Sequence, residues 1–314
     1  MIDLSQPAPP DRPTQLPDYA PPPPTRAQLL FSADFLIIQP YRRAHEFAIV
    51  DPVDNGAPEG VVAALTWPTR AGFRIELGYR PGASAWEALF RYTLFRSTDE
   101  QTVGTPAGGV LYPVGTMPFG LGEVSTATAR SRLSLDTYDI EYGRRYLIDE
   151  SLTLRALGGS RIVTVNEDFR AAFDGRSADR AVLTRTSTYN AGGIMVGAEG
   201  HWTIGWGFSC YTRARGSLLF GDGNYTLTET NNGETTRRAD VSERMNQTVP
   251  VMELGIGVGW YYRGWKATLG YEASHWIGVF DHPGFIADFT TGSFTRRQSS
   301  LSLEGVFFQI GAAF

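Results

Sequence analysis

The sequence predicts an all-β fold: a transmembrane antiparallel up-and-down β-barrel of about ten strands, within a range of about 8–12. Three observations lead there. Segments in which apolar and polar residues alternate with period 2 recur through most of the chain. The connections between them alternate between short and long. The 314 residues include 35 Gly, 18 Phe, 14 Tyr and 7 Trp but only 19% charged side chains, a bias toward strands and tight turns rather than long helices. No apolar run approaches the ~20 residues of a membrane helix, so a bilayer would be crossed by strands.

Residues 1–26 are Pro-rich, with consecutive prolines from Pro21 to Pro24, and read as a flexible periplasmic tail that cannot bury a core. The barrel takes residues 27–314. Its first strand, 27–39, is followed by the clearest one, 73–80, where Phe73, Ile75, Leu77 and Tyr79 share one face and Arg74, Glu76, Gly78 and Arg80 the other. In 85–96, Trp86, Ala88, Phe90, Tyr92 and Leu94 oppose Glu87, Arg91 and Thr93. In 129–142, Leu133 and Leu135 fall out of phase with Tyr138, Ile140 and Tyr142, which predicts a bulge near Asp136 and Thr137. Strands 151–165 and 189–199 are less regular. In 203–220, Ile204, Trp206, Phe208 and Cys210 alternate with Gly205, Gly207, Ser209, Tyr211, Arg213 and Arg215. In 251–262, Met252, Leu254, Ile256, Val258 and Trp260 alternate with Glu253, Gly255, Gly257 and Gly259. After a turn at Arg263 and Gly264, Trp265, Ala267, Leu269 and Tyr271 oppose Lys266, Thr268, Gly270 and Glu272. The last strand is 299–314.

The connections 81–84, 144–150, 200–202 and 263–264 are short, whereas 40–70, 97–128, 166–188, 221–246 and 278–298 are long. That asymmetry predicts short periplasmic turns, long extracellular loops and both chain ends in the periplasm. Residues 225–230 are a candidate for strands continuing beyond the membrane.

Which face meets lipid follows from residue type. Bulky aliphatics and aromatics occupy one face, with Trp86, Trp202, Tyr261, Tyr262 and Trp265 near the short turns as an aromatic girdle. The other face carries glycine and charge of both signs. Its predicted lumen set is Arg74, Glu76, Glu87, Arg91, Arg132, Arg155, Arg161, Arg213, Arg215, Glu253, Lys266 and Glu272. In a wide barrel these residues line a water-filled path and select solutes by size and sign; in a narrow one they pair and fill it.

At the carboxyl end Val306, Phe308, Ile310, Ala312 and Phe314 alternate with Gly305, Phe307, Gln309, Gly311 and Ala313. A last strand ending in Phe314 resembles the assembly signal of outer-membrane proteins, which implies the barrel assembly machinery as a partner during biogenesis. The stretches GFRIELGYR from Gly72, YDIEYGRRYLIDESLTLRALGGSRI from Tyr138 and ELGIGVGWYYRGWKATLGYEASHW from Glu253 resemble a pore-forming outer-membrane family. That family includes the Legionella major outer membrane protein and related planctomycete barrels. The resemblance implies the outer membrane of a Gram-negative-type cell, contact with outer-membrane lipids and a channel or structural role, and it supplies no catalytic residues.

Other function classes find little support. The formal net charge is −5 and no basic block suits a nucleic-acid backbone. The single Cys210 excludes an intramolecular disulfide framework, and the four histidines show no zinc spacing, so neither cofactor nor metal is expected. Asp281, His282 and Asp288 could form a general-base group in a predicted loop, but without defined geometry a polar loop is the simpler reading. The amino terminus shows no basic segment followed by an apolar one, so an export signal is not expected within the chain as given. The reading is a non-enzymatic porin-like channel for passive diffusion of small hydrophilic solutes or ions, with association of chains left open. The alternative is a non-conducting structural or adhesive barrel with ligand-binding loops.

Overall fold

The computed structural model describes residues 26–314 except 44, 57–58, 83, 117–120, 176–177 and 289–292. The side chains of 281–297 also lie outside the description, as does the predicted tail up to residue 25. Ten strands close into a barrel: β1 (Gln28–Arg42), β4 (Arg70–Arg80), β5 (Trp86–Gly104), β7 (Thr126–Leu147), β8 (Leu152–Gly175), β9 (Ala178–Gly205), β10 (Phe208–Asn231), β11 (Thr236–Tyr262), β12 (Trp265–Asp288) and β13 (Ser293–Ala313). Each pairs with the next in this order, and β1 pairs with β13 to close the ring, with Phe35 opposite Phe308. Three short strands, β2 (Glu46–Asp51), β3 (Val61–Ala64) and β6 (Val110–Pro113), form a separate sheet in the order β3-β2-β6.

Period-2 alternation dictates which side chains meet lipid. Ile162, Ile194, Val196, Leu254 and Ile256 point outward and are about 60% exposed, an arrangement that water would oppose and hydrocarbon favours. Their neighbours in sequence point inward and are charged or glycine, except for the buried Val163 and Met195. The inward glycines make room: a Cβ at Gly143 would lie 2.5 Å from Nε of Arg155, and one at Gly197 would meet the Arg215 side chain at 2.8 Å.

No bulge occurs at Asp136 and Thr137. The β5–β7 register runs unbroken from Trp86 opposite Arg144 to Gly104 opposite Thr126, and β7–β8 is equally regular there. Leu133 and Leu135 instead point into the lumen, where both are buried. The change of pattern along β7 is therefore a change in what the lumen contains, from charge to apolar side chains, with the backbone phase unaltered.

Three of the predicted long links are largely strand, among them 278–298, where β12 runs to Asp288 and β13 starts at Ser293. Residues 166–175 and 178–188 extend β8 and β9 until Gly175 stands opposite Ala178, and residues 221–231 and 236–246 extend β10 and β11 until Asn231 stands opposite Thr236. The predicted extension at 225–230 is part of this. At the opposite end, Trp206 and Gly207 (φ 53° and 81°) and Arg263 and Gly264 (φ 48° and 88°) make two-residue turns with positive φ at both positions, the handedness that suits twisted hairpins. Beyond the membrane, Phe47, Ala48, Leu65 and Leu111 of the small sheet and its flanks join Phe169, Ala171, Phe173, Leu183 and Leu227 of the extended wall in one apolar cluster. The small sheet thus packs against the mouth of the barrel.

Candidate functional site: a lumen filled in two layers

The lower layer is ionic. Nearest the periplasmic turns, Glu87 receives Arg80 at 2.7 Å, Arg145 at 3.0 Å and Arg155 at 2.5 Å. Glu141 sits between Arg91 at 2.6 Å, Arg215 at 3.0 Å and Arg155 at 3.2 Å. Glu199 joins Arg215 at 2.5 Å and Arg155 at 3.0 Å, and Arg91 also holds Glu76 at 2.5 Å. Further up, Arg74 pairs with Asp34 at 2.9 Å and with Glu272 at 2.7 Å, and Arg213 shares Glu272 at 2.6 Å. Arg161 binds Asp139 at 2.7 Å and Glu253 at 2.9 Å.

Several of these pairs join strands that are not neighbours in the wall. Arg161 and Glu253 link β8 to β11, Arg74 and Glu272 link β4 to β12, and Arg215 and Glu141 link β10 to β7. Each pair bridges strands three steps apart around the ring, so side chains from these strands meet within the lumen. Burial keeps these charges from water, and multiple partners compensate the desolvation that a lone pair would not.

The upper layer is apolar. Ile38, Phe95, Leu135, Val163, Val251, Trp276 and Leu303 come from the wall, and Trp67 comes from the connection between β3 and β4. Trp67 is 2% exposed. Its indole N–H donates to His45 Nδ1 at 3.1 Å, and Gln39 Nε2 donates to its carbonyl at 3.3 Å. The other ring nitrogen of His45 meets Glu167, which also pairs with Arg42. Between the layers lies a cavity of about 40 Å³, room for a few waters, with Arg74, Arg91, Arg161 and Arg213 below and Phe95, Leu135, Trp276 and Leu303 above.

Of the predicted lumen set, Arg74, Glu76, Glu87, Arg91, Arg155, Arg161, Arg213, Arg215, Glu253 and Glu272 come together in the ionic layer. Lys266 lies by the periplasmic end, donating to His201 Nδ1 at 3.3 Å and approaching the Tyr211 ring at 5.5 Å. Arg132 does not join them. It stands on the outer face, because the β7 strand keeps one phase and even-numbered positions point out. The sequence reading missed Asp34, Asp139, Glu141 and Glu199, the carboxylates that neutralise the arginines. The signal was present: Asp139 and Glu141 alternate with the lipid-facing Tyr138, Ile140 and Tyr142.

Among the predicted girdle residues, Trp86, Trp202, Tyr262 and Trp265 are exposed on the outer face near the turns. Tyr261 has the opposite phase: it pairs with the lumen-side Lys266 and is half-buried. Phe314 is exposed, its backbone bonded to Leu29 and its ring edge-on to Trp265. His275 lies outward, bonded to Ser302 at 2.7 Å. The side chains of Asp281, His282 and Asp288 lie outside the described residues.

A closed meander with an apolar outer belt and a charged interior defines an outer-membrane β-barrel. The chain belongs to the family of the Legionella pneumophila major outer membrane protein precursor, whose profile matches residues 22–314. No curated protein sequence matches the chain. Among solved structures it is similar to the outer-membrane protease OmpT from Escherichia coli, at 8% identity and a TM-score of 0.47, covering 94% of this chain and 99% of that one. It is also similar to a TodX deletion mutant, a monoaromatic hydrocarbon channel, at 10% identity and 0.36, covering 93% and 91%. A third is the outer membrane protein AlkL, at 14% identity and 0.30, covering 76% and 91%.

Proposed function

We propose that the protein is a gated outer-membrane channel that is closed at rest, rather than a permanently open diffusion pore. The observation that carries this reading is the origin of the apolar seal. The ionic layer is built from the wall and cannot leave it, but Trp67, buried in the apolar layer, sits on a connection that the wall does not hold by its own ladder. A connection can move while the barrel stays intact. The side chains of both layers are largely buried, and on this reading passive diffusion of hydrophilic solutes requires Trp67 and its segment to shift. The charged layer would then discriminate solutes by sign.

Swelling of liposomes containing the refolded protein tests this. Intact protein is expected to admit small sugars slowly. Trp67→Ala, which empties the seal without touching the ionic layer, should admit them several-fold faster. Fast swelling with the intact protein would mean an open pore, and no change with Trp67→Ala would mean a structural barrel.

A further inference from the structure

Above the lipid-facing belt, the outer wall changes character along a line that the strand register makes visible. One row running across β5, β7, β8, β9, β10 and β11 reads Tyr92, Tyr138, Ile162, Gly192, Phe220 and Thr248. Tyr92 and Tyr138 stack with centroids 4.9 Å apart. The next outward row toward the mouth is Leu94, Asp136, Thr164, Asn190, Asp222 and Asn246, and above it stand Arg96, Ser134, Asn166, Thr188, Asn224 and Arg244. A third row follows: Thr98, Arg132, Asp168, Thr186, Thr226 and Ser242. Leu94 apart, every member of these three rows is polar, and hydroxyl and carboxamide side chains dominate.

No register shift interrupts the rows, so they form one smooth wall across six strands. Adjacent strands lie about 4.8 Å apart and successive outward residues about 6.6 Å apart, which makes the wall roughly 25 Å wide and 13 Å tall. It is continuous with the surface that meets the acyl chains. The material that lies against a barrel wall directly beyond the acyl chains is the headgroup layer of the outer leaflet.

The charge pattern narrows the headgroup. Arg96 and Asp136 pair at 2.7 Å, and Arg244 and Asp222 pair at 3.0 Å, so these four neutralise one another. Arg132 makes no hydrogen bond or ion pair among the described residues, and its cross-strand neighbours are Thr98 and Asp168. A near-neutral, hydroxyl-rich wall with one arginine available suits a saccharide carrying few anionic groups better than a bare phosphate cluster. Thr, Ser and Asn both donate to and accept from sugar hydroxyls.

We propose that this wall, from β5 to β11, is a binding surface for the saccharide headgroup of an outer-leaflet glycolipid, with Arg132 as its charged contact. This assignment is independent of whether the lumen conducts. The refolded full-length protein is placed in vesicles of phospholipid alone, of phospholipid with a glucuronosyl diacylglycerol, which carries one sugar and one carboxylate, or of phospholipid with diacylglycerol as the sugar-free anchor, and thermal unfolding is followed by heat-modifiable gel migration. The saccharide-bearing lipid is expected to raise the midpoint by several degrees and the sugar-free anchor by less than half as much. Arg132→Glu, and separately the pair Asn166→Leu and Thr188→Leu, should keep the midpoint in phospholipid alone and lose most of the saccharide-dependent rise. An equal rise with the sugar-free anchor would overturn the proposal, as would a full saccharide-dependent rise in both variants.

Discussion

Arg161 shows how much one inward side chain carries. It is 2% exposed and sits between Asp139 on β7 and Glu253 on β11. Its replacement by Met leaves Glu253 without its ion-pair partner and Asp139 with only Arg91, at 3.9 Å, and the expected loss is about 3–5 kcal/mol, read as a lower urea midpoint of the folded barrel in detergent. Adding Asp139→Asn and Glu253→Gln should recover much of that loss. Gly143 makes a steric prediction: the β-carbon of Gly143→Ala would press on Arg155, and rearranging that hub should cost about 1–3 kcal/mol in the same assay. Outside the membrane, Asp149 in the β7–β8 turn accepts from the Ser151 hydroxyl and from the backbone N–H groups of Ser151 and Leu152, which holds its carboxyl below the usual aspartate range. A depressed folded value means that the turn is stabilised above the unfolded value and loses that support as pH falls through the folded one. Intact protein should therefore lose more stability on acidification below the ordinary aspartate value than Asp149→Asn, measured by urea unfolding over that range. At this scale most of the lumen was legible, because alternation assigns faces without knowledge of partners. Arg132 was misplaced because an inferred bulge in β7 reversed the phase around it, whereas Asp139 and Glu141 lie on the correctly phased part of that strand and were left out although alternation already placed them inward.

At the scale of elements, all ten barrel strands were legible from their alternation, but their upper limits were not. In β8 and β9 the inward residues change from charged to apolar near Val163 and Tyr189 while the outward ones change from apolar to polar near Thr164 and Asn190. The two faces exchange character, so the period weakens just where the strand continues, and a strand leaving the membrane reads as a loop. The small sheet was not legible. β2, β3 and β6 are four to six residues long, and the β2–β6 pairing, with Asp51 opposite Val110, joins segments far apart in the chain, which no local pattern reveals. The layering makes a prediction here. Deleting residues 170–184 removes Phe173 and Leu183 from the mouth cluster but leaves both lumen layers. The truncated protein should still migrate as a heat-modifiable barrel, whereas the segment carrying β2 and β3 becomes sensitive to limited proteolysis. Unchanged protease resistance would show that the small sheet is held by something other than the extended wall.

For the whole molecule, ten strands give a lumen that side chains can fill, and the structure fills it in two ways that answer different physical demands. The ionic layer satisfies buried charge by cross-lumen pairing and fixes the barrel's width. The apolar layer above it excludes water, and Trp67 within it belongs to a connection rather than to the wall. An open or a filled lumen could not be decided from sequence, since the inward arginines suit either and Trp67 enters the apolar layer from a connection, held there by contacts with His45 and Gln39. The measurement that addresses this most directly is single-channel conductance of the refolded protein in a planar bilayer, with Trp67→Ala recorded under the same conditions. A closed resting channel predicts a quiet membrane with rare brief steps for the intact protein, and frequent salt-dependent steps for Trp67→Ala. Long-lived steps of equal size and frequency in both proteins would contradict it.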